Sequence, residues 1–342
     1  MYYQAGIPLG NRVQHKAAIV GAGLMGIWHA HAVRRAGVKL SAVIDRSSAA
    51  GSKLASRYRA RYFSDLDSFL GDNTCDAVHI CTPAATHFSL AMRALDAGCN
   101  VLVEKPLTLS GPESLALAEK AERKGKLLCP VHQFPFQRGF AAILAELKNR
   151  SNPPLGISFY TASAGAGDCP DEHLNPLILE MLPHPLSVLA EIWPQTGTDQ
   201  LEWTISWPRN GEMIAQGRHA NIPVFIRISL HARPTRCTMN IQHQDGSMEY
   251  DFFHGYAVFD SPRVSRSRKI TGPFNHSVKV MSAATLNLLA RFIRQQWAYP
   301  GLESLVRKFY AGMEDGSAPV EPAMYLAIAQ TCDYFKRHLP EE

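Results

Sequence analysis

The run Val101-Leu-Val-Glu104-Lys105-Pro106 passes abruptly from apolar residues to a carboxylate, an ammonium and a proline. A short apolar run of this kind reads as a buried strand. Its polar residues then fall at the carboxyl end, where open α/β sheets bind ligands. A lysine held there can reach a bound cofactor and a substrate together. A second motif, Gly21-Ala-Gly23-Leu24-Met25-Gly26, lies between the strand-like Lys16–Val20 and a helix expected over Ile27–Ala36. In that setting the first glycine permits a tight turn, the second lets the backbone approach a pyrophosphate, and the third lets helix and strand pack closely. The next strand, Leu40–Ile44, ends at Asp45, which is placed to bind ribose hydroxyls. Strand, glycine turn, helix, strand and acid together point to a dinucleotide site. Asp45 favours NAD, because its charge repels a 2′-phosphate, whereas Arg46 beside it could support NADP or stack on adenine.

These groups need a sheet to present them. Alternation continues through helix Ser47–Arg59, strand Arg61–Phe63, a helical turn Asp65–Leu70, strand Asp76–Cys81 and helix Ala84–Ala97. Strand Asn100–Val103 follows, then a helix capped by Ser110 with Glu113 three residues on and ending at Lys124, and strand Leu127–Val131. Strands alternating with helices predict a Rossmann-type doubly wound parallel sheet over 16–131, after a tail of residues 1–15. Residues 132–342 form a second, α+β domain. Phe134–Arg150 reads as one helix or two and Leu177–Ile192 as a helix. The runs Ile157–Thr161, Glu202–Ser206, Met213–Arg218, Val224–Leu230, Arg236–Ile241 and Met248–Phe253 read as an open, mainly antiparallel sheet. Met281–Trp297 and Pro322–His338 close the chain as helices, the last of them able to pack back on the first domain.

Composition narrows the function classes. The 342 residues are 46% hydrophobic and 19% charged, with a net charge of +5, which suits a globular protein of two domains. The basic stretch Arg263-Val-Ser-Arg266-Ser-Arg268-Lys269 reads as a solvated loop. No basic face interleaved with aromatics suggests nucleic acid. Seven cysteines without CxxC or Cys/His spacing argue against a disulfide framework or a metal site. Asp171-Glu172-His173 resembles a metal set only superficially, since adjacent residues do not all face one ion. No run is long enough to span a bilayer, so a soluble, cytoplasmic protein is expected.

The first domain resembles the Gfo/Idh/MocA oxidoreductases, the group of glucose–fructose oxidoreductase and inositol dehydrogenase. The resemblance runs through the glycine motif, Cys81-Thr82-Pro83 with His87, and Ala94-Leu-Asp-Ala-Gly98 leading into Glu104-Lys105-Pro106-Leu. It implies an NAD(P)-dependent enzyme whose Lys105 lies beside the nicotinamide and the substrate hydroxyl. Cys81, Thr82, Pro83, His87 and Glu104 would lie on the cofactor side with Leu24, Met25 and the three glycines. His132 and Gln133, after the last strand, would touch substrate. The family's Asp-x-Gly-x-His-x-x-Asp has its counterpart in Glu180-Met-Leu-Pro183-His184-Pro185-Leu-Ser187. His184 takes the histidine position and Glu180 that of the acid, while Leu182 and Ser187 depart from the pattern. Pro183 should bend or start the helix there.

The chemistry implied is hydride transfer between the nicotinamide and a carbinol carbon of a polyol, sugar derivative or related hydroxy compound. His184 would be the base, Lys105 the donor to the substrate oxygen, and Glu180 an orienting or hydroxyl-binding group. Alternatives are a reductase of imines or semialdehydes, an NAD-dependent glycosidase and a non-catalytic nicotinamide-binding regulator. The resemblance also implies a homodimer or homotetramer acting on a small molecule.

Overall fold

The computed structural model describes residues 15–72, 75–164, 167, 169–260 and 265–340. The tail expected before residue 15 and Arg263 of the basic stretch lie outside the described residues.

The first half builds a parallel sheet from β1 (Lys16–Val20), β2 (Lys39–Ile44), β3 (Arg61–Phe63), β4 (Ala77–Ile80), β5 (Asn100–Val103) and β6 (Leu128–Pro130). Their order is β3-β2-β1-β4-β5-β6, all pairs parallel. The order reverses direction between β1 and β4, and a doubly wound sheet binds its ligand outside the strand ends at such a point. The connecting helices are α1 (Leu24–Arg35), α2 (Ser48–Tyr58), α3 (Leu66–Asp72), α4 (His87–Asp96) and α5 (Gly111–Lys124). Local chemistry sets several ends. The Ser47 hydroxyl accepts from the Ala50 N–H and the Ser110 hydroxyl from the Glu113 N–H, satisfying donors that each helix leaves free. Gly125 closes α5 in a left-handed conformation.

The second half builds a mixed sheet from β7 (Gly156–Ala162), β8 (Thr204–Arg209), β9 (Glu212–His219), β10 (Ile222–Ser229), β11 (Arg236–His243), β12 (Gly246–Asp251) and β13 (Tyr256–Asp260). The order is β13-β12-β11-β7-β10-β9-β8, antiparallel except for β7 with β10. Alternate residues of β9, β10 and β11 are buried, so one face carries the core. Covering it are α6 (Arg138–Asn149), α7 (Leu174–Met181) and α8 (Pro183–Ile192).

Several elements depart from the sequence reading. The helix expected over Leu177–Ile192 is two helices, because Pro183 cannot donate the bond that would continue α7 and instead opens α8. Phe134–Arg150 divides into a 3₁₀ turn at Phe134–Phe136 and α6. The helix expected from Met281 starts much earlier: α9 spans Arg266–Ile293 and contains Pro273, which reads as a breaker in sequence. The basic residues from Arg266 to Lys269 therefore lie in a helix, not a loop. Strand β13 and helix α10 (Leu302–Asp315) are additions. Leu305, Val306 and Phe309 of α10 join the core of the parallel sheet. Helix α11 (Pro322–Arg337) bridges the layers, with Tyr325 in the first core and Ile328 and Phe335 in the second.

Candidate active site

At the end of β1 the chain turns at Gly21, whose φ of +98° is left-handed and whose added Cβ would lie 2.6 Å from the Cys81 carbonyl oxygen. Only glycine fits there. A Cβ on Gly26 would lie 1.9 Å from the Gly21 carbonyl oxygen, so the close approach of helix and strand depends on its absence. Gly23 differs: a Cβ there would meet no protein atom within 4 Å. Its backbone and the exposed Leu24 face open space at the N-terminus of α1, where amide N–H groups have no intrahelical acceptor. Beside this turn the Asp45 carboxylate accepts from the Ala22 N–H at 2.6 Å and the Ser47 N–H at 2.7 Å. It is partly exposed and retains acceptor capacity for hydroxyls, while Arg46 is exposed. The empty room at Gly23, the open helix end and the adjacent carboxylate fit a dinucleotide. Gly21, Gly23, Leu24, Met25 and Gly26 would hold its pyrophosphate and Asp45 its ribose.

The far side of this cofactor region is built from β4 and β5. Thr82 and Pro83 follow β4, and Thr82 accepts from the Thr86 hydroxyl at 2.7 Å. His87, expected on the cofactor side, is turned inward. Its Nδ1 lies 2.8 Å from the Pro106 carbonyl oxygen and its Nε2 2.8 Å from that of Thr82. The ring thus ties the loop after β4 to the turn after Lys105.

Glu104 is likewise buried. Its Oε2 accepts from the Lys105 N–H at 3.1 Å and its Oε1 lies 3.0 Å from His29 Nε2. The chain continues from His29 Nδ1 to His79 Nδ1 at 2.9 Å and from His79 Nε2 to the Tyr310 hydroxyl at 2.8 Å. A carboxylate can only accept, so the tautomers follow: His29 donates from Nε2, His79 from Nδ1, and Tyr310 donates its O–H. Burial holds the His79 imidazole well below its usual range, with His29 adding to the effect, and raises the Tyr310 phenol. This buried hydrogen-bonded chain fixes Glu104, which in turn holds the Lys105 N–H. His29, His79 and Tyr310 were not singled out in sequence. The available signal was two histidines in otherwise apolar elements, each needing a buried partner.

Lys105 projects from the end of β5 into a cavity of about 990 Å³ between the two sheets, lined also by Gln133, Glu180 and His184. Its Nζ donates to the Glu180 carbonyl oxygen at 3.2 Å. Hence α7, one residue before the break at Leu182–Pro183, positions the ammonium with its backbone. The His184 ring lies face to face with Phe134, centroids 4.3 Å apart and planes 13° apart, and Phe134 stacks in turn on Phe252 at 4.6 Å. Stacking, not Glu180, sets the ring's orientation, since no hydrogen bond joins Glu180 and His184 among the described residues. Glu180 lines this cavity and its smaller neighbour. Burial lowers the His184 imidazole well below its usual value, and the neighbouring Lys105 charge and His132 add to the shift. Gln133 is buried with Oε1 unpartnered. His132 faces a smaller neighbouring cavity that also touches Glu180. Its Nδ1 is unpartnered, and burial holds its pKa down at about 3. The structure thus brings Lys105, Gln133, Glu180 and His184 together, sets His132 behind them, and makes Glu104 and His87 supports. No cluster of metal-ligating side chains and no helix long and apolar enough to cross a membrane occurs among the described residues.

Comparison with known proteins agrees with the Rossmann-type sheet. The GFO_IDH_MocA model, described as an oxidoreductase family with an NAD-binding Rossmann fold, matches residues 15–132. The UDP-N-acetylglucosamine 3-dehydrogenase of Acidithiobacillus ferrooxidans is 32% identical over 138 residues, covering 38% of this chain and 43% of that protein. The scyllo-inositol 2-dehydrogenase (NAD(+)) of Bacillus subtilis is 35% identical over 161 residues, covering 45% of this chain and 46% of that protein. The chain therefore aligns with less than half the length of these curated relatives. The fold match is wider: GenD2 from gentamicin A biosynthesis, crystallised with NAD, superposes with a TM-score of 0.72 over 97% of both chains at 20% identity. Glycine turn, Asp45 and Lys105 lie within residues 15–132, the stretch that is similar to the Gfo/Idh/MocA oxidoreductases with their NAD-binding Rossmann fold.

Proposed function

We propose that the protein is an NAD-dependent dehydrogenase that oxidises a carbinol of a sugar derivative or polyol, or reduces the matching carbonyl. One observation carries this reading: Lys105, at the end of β5, and His184, at the start of α8, line one cavity. Bound NAD would supply the hydride acceptor at the nicotinamide ring.

The chain's own residues supply the rest. His184 is held neutral, and a neutral imidazole accepts the hydroxyl proton. The Lys105 ammonium, steadied by the Glu180 carbonyl, donates to the substrate oxygen as negative charge builds there. Gln133 lines the same cavity. The Glu180 carboxylate can take a second hydroxyl. Asp45 beside the ribose region favours NAD over NADP, and the nearby Arg46 is exposed. The outer face of the second sheet carries the exposed Ile214 and Phe225, an apolar surface suited to pairing with a second copy.

Replacement of Lys105 by Met tests the assignment. NADH binding, followed by nicotinamide fluorescence, is expected to persist while turnover falls by about a hundredfold or more. Turnover equal to that of the unaltered protein would refute the role of Lys105.

A further inference from the structure

The cavity is divided in character. Lys105, Gln133, Glu180 and His184 form a polar end. Much of the opposite wall comes from α9 and the segment after it: Leu288, Leu289, Phe292 and Trp297, which are 67%, 54%, 64% and 61% exposed. Several polar side chains elsewhere on the wall are already engaged, while Gln296 and Tyr299 also line it. Gln137 donates to the Phe252 carbonyl at 3.0 Å and accepts from the Tyr250 hydroxyl at 2.8 Å. The Arg291 guanidinium donates to the carbonyls of Gln296, His254 and Trp297 at 3.1, 3.0 and 2.9 Å. His254 Nδ1 is bound to Asp251 at 2.8 Å.

Two substrate types fit poorly. A cyclitol or free sugar bears hydroxyls around the whole ring and loses affinity wherever one is left without a partner. A nucleotide sugar needs arginine or lysine for its pyrophosphate. Among the described residues of the wall only Lys105 and Arg291 carry a fixed positive charge: the first lies at the reacting end and the second commits three of its five N–H groups to carbonyls. A volume of about 990 Å³ is at the upper end of the roughly 300–1,000 Å³ typical of pockets for drug-sized ligands.

From this we infer that the substrate is amphipathic: a hydroxylated ring bearing a bulky apolar or aromatic group, as in an aryl glycoside. The hydroxylated ring sits against Lys105 and His184, and the apolar group covers Leu289, Phe292 and Trp297, burying surface that the free protein exposes. The inference rests on the dehydrogenase reading for the direction of the reacting carbinol, but the binding preference itself is independent of turnover.

The test is calorimetric titration of the NADH-loaded protein with nitrophenyl glucoside, glucose, myo-inositol and UDP-glucose. The aryl glucoside is expected to bind about tenfold or more tightly than the others. Phe292→Ser should narrow that ratio. Equal or weaker binding of the aryl glucoside would overturn the inference. So would a Phe292→Ser variant that changes the sedimenting mass yet leaves the ratio intact, because α9 would then be covered by a second copy. Preferential binding of the aryl glucoside in a protein that forms no NADH from it with NAD would uphold the substrate class and count against hydride transfer.

Discussion

His184 lies against Phe134 on one side and near Lys105 and His132 in the cavity, and its proton affinity reports on all three. The base must be neutral to act. Its lowered pKa therefore moves the acid limb of the oxidation profile below the ordinary imidazole value of 6.5, with activity rising as pH increases through it. The Lys105 charge contributes to that depression, so Lys105→Met should raise the His184 pKa. An NMR titration of the imidazole measures this in the inactive variant, and an unmoved or lower value would separate the two residues. At this scale the sequence was partly legible. Lys105 and Asp45 stand at strand ends, where alternation of element types locates them. The deeper layer was not: His29, His79 and Tyr310 come from α1, β4 and α10, and only the fold brings them within hydrogen-bond distance of one another. The buried partners of Glu104 and His87 were hidden for the same reason, since burial and partners are tertiary properties.

Among elements, the turn between β1 and α1 separates folding from binding. Gly26→Ala would force a Cβ to 1.9 Å from a backbone oxygen and should lower the melting temperature markedly. Gly23→Ala meets no protein atom within 4 Å and should leave the melting temperature nearly unchanged, yet weaken NADH by about tenfold or more, because the space it fills is that of the pyrophosphate. Paired thermal melts and fluorescence titrations would show this contrast; equal NADH affinity in folded Gly23→Ala would place the dinucleotide elsewhere. The first sheet was readable because each of its strands is a short apolar run followed by a helix. The second was less so. The parallel pairing of β7 with β10 joins segments far apart in sequence, and a proline inside α9 conceals a 28-residue helix. Pro183 had the expected effect on the helix carrying His184, but the result is a clean start of α8 that leaves the ring in the cavity.

For the whole molecule, buried neutral histidines govern the response to acid. His79, His132 and His184 all have pKa values lowered by burial, His132 to about 3. In the unfolded chain they titrate near the ordinary value of about 6.5. Below that pH the unfolded state binds protons that the folded state refuses, so stability is present above about pH 6.5 and is lost progressively as pH falls toward the folded values. Urea midpoints should therefore decline with pH below about 6.5, and His132→Gln should make the decline shallower. A variant as acid-sensitive as the original protein would remove His132 from the account.

The central claim is net hydride transfer at the Lys105–His184 cavity. Its most direct test is the yield of NADH when the protein and NAD are incubated with polyols, free sugars and glycosides. The account predicts that NADH and a carbonyl product accumulate together in equal amounts from at least one of these compounds. Release of an aglycone without net NADH would point to transient oxidation and hydrolysis. No NADH and no cleavage from any of them, by folded protein that binds NADH, would contradict the account.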